Sequence, residues 1–414
     1  MRVLLVAFYF PPAGGGGVQR PLKLAAQLPA HGVETHVLTP RDSRWIHRDE
    51  SLLVPDEVPV HRASFIGPRG RKPAEELYGR TGSARLRRQA SLLGRRLIVP
   101  DEAAAWVLTA VPATVRLIRR ESIDVVVTTS PPNSNQLVGA AAKALTGVRW
   151  VADLRDPLQA HPHRDVRRRA VRAKESAQRL VSRLVMRHAD AVVCVSEAIA
   201  ADARRAQARG TVTVIANGAD FEDFDGLEYR TATRFRITHA GSFFGRRDPR
   251  PFLEALARVP GVDARFVGDF RSADRDWLVE RGLADRVELI PFVSHARSLE
   301  LQRDTEALLL LIPEADGRGK GILSGKVFEY LAAGRPILAL VPPDGAAAAL
   351  LRELDAGPIV APEDVGAIAA ALVDLRDRWH ARALESVQLT DAQRDSIGRR
   401  RQVAHFARLL ESLD

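Results

Sequence analysis

Short apolar runs separated by helical patterns recur along the whole chain, and this alternation restricts the fold more than any other feature. Val18, Leu22, Ala25 and Leu28 recur on one helical face between the first two runs. Continuous apolar strands alternating with helices predict a parallel sheet covered on both faces. In the first half the runs are RVLLVAF (2–8), VETHVLT (33–39), IDVVVTT (123–129), VRWVAD (148–153), ADAVVCV (189–195) and TVTVI (211–215).

The same rhythm restarts after a polar, turn-rich stretch at 217–234. The sequence therefore predicts an α/β chain of two tandem, Rossmann-like, doubly wound domains, which suits a length of 414 residues. Sheets of this kind bind ligands at the carboxyl ends of their strands, so we expect a site in a cleft between the domains. The predicted divisions are 1–216, a linker at 217–234, 235–390, and a C-terminal segment 391–414 that crosses back to the first domain.

The chain carries a net charge of +10, which alone would suit a nucleic acid, an anionic membrane or an acidic substrate. Residues 69–96 hold nine basic and two acidic residues, and Tyr78 is their only aromatic residue. Binding of single-stranded nucleic acid by stacking needs aromatic side chains, so a nucleic-acid partner is not expected. Leucines among these arginines suit a helix lying on an anionic membrane surface, although a solvated basic face fits equally well.

Two further absences in the sequence bear on location and cofactors. No apolar run reaches the length of about 18 residues that a membrane-spanning helix needs. The single cysteine, Cys194, excludes a disulfide framework within the chain, so we expect a cytoplasmic protein. No Cys/His cluster has metal-ligand spacing, and His161 and His163 fit a solvated loop; the expectation is no metal and no cofactor.

The stretch GKGILSGKVFEYLAAGRPILAL (319–340) has the pattern of a loop, a short helix and an apolar strand. Ser324 suits the N-cap of that helix, whose free N–H groups would form an anion site beside Lys326. Glu329 lies three residues beyond Lys326 on the same helical face. A nucleoside diphosphate would fit this arrangement, but so would an ordinary capped helix in which Glu329 pairs with Lys326.

Two other glycine-rich loops follow strands, FPPAGGGG with Gly15 and Gly16, and AGSFFGRRDP with Gly241, Arg246 and Arg247. Neither is a GxGxxG fingerprint or a P-loop. Three such turns at the carboxyl ends of strands favour a diphosphate site more than any one of them does.

These loops, in this order, give the chain a resemblance to retaining glycosyltransferases of the GT-B fold, in particular the fourth family. VVCVSEAIA, VIANGADFEDF and KVFEYLAAGRPI follow the family order, and the last is the most specific. The stretch from SPPNS to DLRDP is similar to bacterial enzymes that build surface polysaccharides or decorate small molecules. The resemblance implies transfer of a sugar from a nucleoside-diphosphate sugar to an acceptor hydroxyl, with retention and without a metal.

The resemblance also implies roles for individual residues. Glu329 would hold the ribose hydroxyls, and Arg246 or Arg247 with Lys326 would neutralise the diphosphate. Backbone amides would come from Gly15 or Gly16, from Gly241, and from the loop that includes Gly321, Ile322, Leu323 and Ser324.

This sequence departs from the family pattern at two positions. Gly321 stands where a second glutamate often touches the donor sugar, so loop amides, Glu314 or Asp316 would have to replace it. Arg155–Asp156 stands where a histidine and an aspartate often lie at the reacting side of the sugar. Asp156 would then orient donor or acceptor, whereas Arg155 stays protonated and cannot be a base; alternatively, DLRDP is a salt-bridged strand end.

Two other functions remain open at this point, a nucleotide-sugar epimerase of the same fold and a non-catalytic basic binding protein. An epimerase would need acid and base groups at the anomeric carbon, which Arg155, Asp156 and Gly321 hardly supply. The base, the sugar and the acceptor are left undetermined, since base contacts would come largely from the backbone of loops such as 268–270 and 292–294. The acceptor is either lipid-linked or a small molecule, and residues 69–96 would place the protein at the inner face of the membrane.

Overall fold

A computed structural model describes residues 1–41, 47–67, 82–83, 98–159, 169–243 and 246–413, without the side chains of 169–173. The chain divides into two compact units. The first comprises Met1–Ala216 and Gln402–Asp414, and the second comprises Asn217–Arg401. Most of the basic stretch 69–96, together with His161 and His163, lies outside the described residues.

The first unit contains a seven-stranded parallel sheet in the order β3-β2-β1-β4-β5-β6-β7. Its central strands are buried on both faces, as their continuous apolar sequences predict. The strands are β1 (Arg2–Val6), β2 (Glu34–Arg41), β3 (Val60–Ser64), β4 (Val125–Ser130), β5 (Arg149–Leu154), β6 (Ala191–Cys194) and β7 (Thr211–Val214).

Helices cover both faces of this sheet. Val18, Leu22, Ala25 and Leu28 are buried around the first helix, as their spacing predicts. The last helix supplies Val403, Phe406 and Leu410 to the same core as β1. The described helices are α1 (Gln19–Gln27), α2 (Val107–Glu121), α3 (Asn135–Thr146), α4 (Arg169–His188), α5 (Glu197–Arg205) and, across the unit boundary, α13 (Arg399–Glu411).

The second unit repeats the architecture with a six-stranded parallel sheet in the order β10-β9-β8-β11-β12-β13. Its strands are β8 (Phe235–Ala240), β9 (Val262–Val267), β10 (Val287–Ile290), β11 (Ala307–Leu311), β12 (Ile337–Leu340) and β13 (Ile359–Val360). Its helices are α6 (Arg250–Arg258), α7 (Ser272–Glu280), α8 (His295–Arg303), α9 (Gly325–Ala333), α10 (Ala346–Glu353), α11 (Val365–His380) and α12 (Asp391–Ile397).

The predicted fold class of two doubly wound domains is confirmed by these two sheets. In each sheet the strand order reverses beside the first strand of the unit, between β1 and β4 and between β8 and β11. Loops that leave neighbouring strands in opposite directions open a crevice at that point, where ligands of such sheets bind. Within the described residues, no helix is both long and apolar enough to cross a membrane.

Candidate functional site in the second unit

The crevice of the second sheet is bordered by the loops that follow β8 and β11. The loop after β8 contains Gly241, Arg246 and Arg247, and the loop after β11 runs into α9, which carries Lys326 and Glu329. The residues predicted to bind the diphosphate and the ribose in this unit therefore follow the two strands at which the strand order reverses.

Lys326 lies directly against Gly241. A Cβ atom at position 241 would stand 1.9 Å from Lys326 Nζ and 2.3 Å from Cε, and Gly241 has a φ of +140°. Only glycine combines this backbone angle with the missing side chain. Gly241 thus lets the ammonium group of α9 reach the end of β8. Among the described residues, no hydrogen bond or ion pair engages that ammonium group.

The surroundings of Lys326 are positively charged and poorly solvated. Burial, followed by the charge of Arg247, holds the pKa of Lys326 well below its usual range, while Glu329 opposes the shift. Arg247 is 9% exposed and donates from Nη1 to the carbonyl of Ser242 at 3.1 Å. The buried His239 lies next to them, and burial with these two cations lowers the pKa of its imidazole well below the ordinary value. An anionic ligand would relieve this unfavourable concentration of positive charge.

The amino end of α9 lies beside the Lys326 ammonium group. Ser324 is the N-cap residue, as predicted, but its hydroxyl makes no capping hydrogen bond. Within the described part of the chain, no acceptor engages the N–H groups of Gly325 or Lys326. Asn217 donates from Nδ2 to the carbonyl of Leu323 at 3.4 Å, which supports the peptide just before the helix. The helix therefore presents free donors beside the ammonium group.

Glu329 does not form the ion pair with Lys326 that an ordinary capped helix would show, within the residues described here. Its Oε1 accepts a hydrogen bond from Nε2 of Gln302 in α8. The next residue, Tyr330, is fully buried, and its hydroxyl accepts from the N–H of Ala240 at 2.8 Å. This bond fixes α9 to the end of β8, so the position of Glu329 is tied to the strand beside the crevice.

Arg246 has a different environment from Arg247. It forms an ion pair with Asp316 at 2.6 Å, and Asp316 also accepts from Arg318 at 3.2 Å. Ala315 and Asp316 both have a positive φ, so the loop after β11 turns sharply there. Asp316, which was expected as one replacement for the missing glutamate, is thus already engaged by two arginines. The neighbouring Gly321, Ile322 and Leu323 are partly buried in the same loop.

The loop after β9 supports the loop after β8 from behind. Ser242 Oγ donates to Asp269 Oδ2 at 2.9 Å, and Phe243 N donates to Asp269 O at 2.8 Å. A Cβ at Gly268 would stand 3.0 Å from the Gly241 carbonyl carbon and from Ser242 N. The predicted base-contact loop 268–270 therefore lies against the Gly241 turn.

Loops around Arg155 in the first unit

Arg155 joins three loops at the reversal point of the first sheet. Its Nε donates to Ser130 O at 2.7 Å, its Nη1 to Gly17 O at 2.6 Å and its Nη2 to Pro131 O at 3.2 Å. Burial lowers the pKa of Arg155. These bonds point to a role in positioning the loops after β1, β4 and β5; a place of Arg155 at the reacting side of the sugar stays a prediction. Asp156 is half-buried beside it.

The other aspartate of DLRDP, Asp153, is fully buried in an ion pair with Arg20 at 2.8 Å. Arg20 also donates to Ala216 O at 2.8 Å, and Asp153 accepts from Thr129 Oγ1 at 2.8 Å. The alternative of a salt-bridged strand end therefore describes Asp153. Gly15, with a φ of +97°, and Gly16 have open space where a Cβ would stand, so the loop after β1 leaves room for a ligand.

Among the residues that the structure describes, no cluster of three or more His, Cys, Asp or Glu side chains could hold a metal ion. The cationic groups of the candidate site are instead Lys326 and Arg247.

Comparison with known proteins

Residues 15–218 match the family described as the glycosyl transferase 4-like domain. The first half of the chain, residues 15–218, belongs to this glycosyltransferase family. The resemblance stated from its motifs is confirmed by that match and by the GT-B fold of the matching structures. No curated protein matches the sequence at a significant level.

Solved structures match this glycosyltransferase over essentially its whole length. Sucrose-phosphate synthase from Thermosynechococcus elongatus has a TM-score of 0.72 and 16% identity, covering 100% of this chain and 98% of its own. HepE of Anabaena, in complex with UDP-glucose, has a TM-score of 0.66 and 17% identity, covering 100% and 99%. At these identities the likeness shows the fold alone.

A structure from Listeria monocytogenes, provisionally assigned as a UDP-N-acetylglucosamine 2-epimerase, also matches this glycosyltransferase. Its TM-score is 0.57 at 12% identity, and the match covers 99% of this chain and 96% of its own. A protein assigned as an epimerase therefore has the same fold, so the fold alone does not separate the two activities. The family match favours a transferase.

Some residues of this glycosyltransferase's candidate site could not be found from local sequence patterns. Gln302, Tyr330 and His239 contact the site through packing between distant segments. Asn217 is the exception, because it lies in VIANGADFEDF, one of the segments that carry the resemblance.

Proposed function

We propose that this glycosyltransferase moves a sugar from a nucleoside-diphosphate sugar to an acceptor hydroxyl with retention of anomeric configuration. The observation that carries the proposal is the contact of the Lys326 ammonium group with Gly241 beside the free amino end of α9. A diphosphate there would meet a side-chain cation, helix N–H groups and Arg247 together. The binding of UDP-glucose by HepE makes UDP the first nucleotide to test.

Glu329 would bind the ribose hydroxyls of the same nucleotide. It lies almost one helical turn beyond Lys326, on the same face of α9. A carboxylate accepts hydrogen bonds from hydroxyl groups well, and each such charge-assisted bond contributes about 1.5–3 kcal/mol.

The chemical step breaks the bond between the anomeric carbon and the diphosphate oxygen and forms a bond from the same carbon to the acceptor oxygen. With retention by front-face displacement, the acceptor proton passes to an oxygen of the leaving diphosphate. Lys326 and Arg247 would stabilise the negative charge that develops on this group, the usual source of large rate effects. These two cations would do so without a metal, and no cofactor beyond the sugar nucleotide would be needed.

The family resemblance also supports a proposal for the acceptor and the cellular role. A cytoplasmic enzyme of surface-polysaccharide or glycoconjugate synthesis, acting on a lipid-linked or small-molecule acceptor, fits the family resemblance. Residues 69–96 would bring it to an anionic membrane. Sedimentation with phosphatidylglycerol vesicles at moderate salt, compared with neutral vesicles, tests that part; equal sedimentation with both would remove the membrane from the proposal.

The decisive experiment is calorimetric titration with UDP, GDP, dTDP, CDP and ADP. One nucleotide should bind the wild type, and Glu329→Ala should weaken it tenfold or more, about 1.4 kcal/mol. Glu300→Ala is the matched control, because Glu300 is exposed on α8 and pairs with Arg297; its affinity should equal that of wild type. Absence of binding of all five at millimolar concentration would refute the proposal.

Retention and metal independence can then be tested with the sugar nucleotide of the identified base. Proton NMR of the first product formed should show the anomeric configuration of the donor, and EDTA should leave the rate unchanged. An inverted product, or loss of rate that Mg²⁺ or Mn²⁺ restores, would refute these two parts while leaving the transferase assignment in place.

A further inference from the structure

Gln302 is the described residue that contacts the Glu329 carboxylate from another helix. It lies in α8 and is fully buried, and its Nε2 donates both to Glu329 Oε1 at 2.5 Å and to Ser298 Oγ at 3.1 Å. Both hydrogen bonds are donated by the amide nitrogen, one to the carboxylate and one to the hydroxyl.

These two contacts fix the orientation of the Gln302 amide. In the reverse orientation the amide oxygen would face the Glu329 carboxylate, and two acceptors would oppose each other. The present orientation leaves Gln302 Oε1 buried without a hydrogen-bond partner among the described residues. A buried unpaired acceptor is unfavourable, because it has lost its hydrogen bonds to water. The arrangement is therefore unfavourable for the glutamine itself but supplies a donor to Glu329.

We propose that Gln302 is a positioning residue for the nucleotide. It holds Glu329 Oε1 and so fixes the side-chain rotamer in which Oε2 is presented to the ribose hydroxyls. This inference rests on the proposed function, in which Glu329 binds the ribose. Among the described contacts Glu329 has no ion pair, so the glutamine amide supplies its rigidity.

Loss of this donor should weaken nucleotide binding through Glu329 and through nothing else. Gln302→Met keeps the length and the burial of the side chain but removes the donor. We expect UDP to bind about tenfold more weakly to this variant, which corresponds to about 1.4 kcal/mol. Gln302→Glu, which places a second carboxylate against Glu329, should weaken UDP further.

A merely structural role for Gln302 would weaken all ligands alike, so the test compares UDP with 2′,3′-dideoxyuridine diphosphate. The dideoxy compound lacks the hydroxyl groups that Glu329 would bind. Gln302→Met should leave its affinity unchanged while weakening UDP. In a Glu329→Ala background, Gln302→Met should have no further effect on UDP, because the two changes act through one contact.

Arg297→Gln is the control on the same helix, since Arg297 is exposed and pairs only with Glu300 among the described side chains; its UDP affinity should match wild type. Equal loss of both ligands in Gln302→Met and Gln302→Glu, or additive loss with Glu329→Ala, would overturn the positioning role and leave the proposed function standing. If the wild type prefers another base, the matching ribose and dideoxyribose diphosphates replace the UDP pair. If the wild type binds none of the five diphosphates, both proposals fall.

Discussion

Replacing Gly241 by alanine should damage nucleotide binding chiefly by displacing Lys326. The new Cβ would stand 1.9 Å from Lys326 Nζ and 2.3 Å from Cε, far inside van der Waals contact. Because these atoms form the end of a flexible side chain, Lys326 would move away rather than the backbone. A displaced ammonium group loses its bond to the diphosphate, about 1.5–3 kcal/mol, or roughly a 10- to 150-fold loss of affinity.

The backbone supplies a second, separate cost. Gly241 has a φ of +140°, a conformation that L-residues rarely adopt, and such strain costs about 1–3 kcal/mol of folding stability. Urea unfolding measures this cost independently of any ligand. The two effects can therefore be separated, since strain lowers the free energy of unfolding whereas displacement of Lys326 lowers UDP affinity in the protein that remains folded.

The assay is UDP calorimetry on a double-mutant cycle of Gly241→Ala and Lys326→Met. If the alanine acts by displacing the lysine, it should have little effect on UDP affinity once Lys326 is already methionine. Gly366→Ala is the control, because a Cβ in this part of α11 would meet only Asp364 Oδ1 at 3.5 Å, an ordinary contact, and Gly366 has no positive φ. Wild-type affinity in Gly241→Ala, or the same loss in both lysine and methionine backgrounds, would refute the reasoning.

Three further changes test other parts of the structure. Burial and Arg247 lower the pKa of Lys326, and a bound diphosphate favours its charged form, so UDP binding should take up a proton. Affinity should therefore fall as pH rises between the pKa of Lys326 in the free protein and its higher pKa in the complex. Lys326→Arg should abolish both effects in calorimetry with buffers of different ionisation enthalpy. Arg155→Met removes the donor shared by three loop carbonyls and should lower the free energy of unfolding in urea by about 2–4 kcal/mol. Arg155→Lys should recover only part of this loss. An unchanged midpoint of urea unfolding in Arg155→Met would contradict the positioning role. Arg20→Met leaves the Asp153 charge buried and should lower the free energy of unfolding by about 3–5 kcal/mol. Adding Asp153→Leu should recover most of this loss. Equal melting temperatures of the single and double variants would contradict this expectation.

The fold could be predicted where a strand is buried on both faces, because its sequence is then continuously apolar. β1, β4 and β6 are of this kind, and each lies within a predicted run. The strands that were not predicted lie at sheet edges, β3 (Val60–Ser64) with one buried residue and β13 with only two residues. Because β3 is largely exposed and β13 is very short, these two strands lack the continuous apolar signal.

In the candidate site, local sequence spacing predicts which helical face a side chain lies on, whereas packing determines which residues it contacts. The spacing of Lys326 and Glu329 correctly places both on one face of α9, and the same spacing suggests that they pair. In the structure each instead lies near a distant segment, Lys326 beside Gly241 of the loop after β8 and Glu329 beside Gln302 of α8. A pair on the helix surface is worth only about 0.2–0.5 kcal/mol, so contacts made by packing readily override it. Because the pair does not form, the ammonium group and one carboxylate oxygen both remain available for the proposed contacts with the diphosphate and with the ribose hydroxyls.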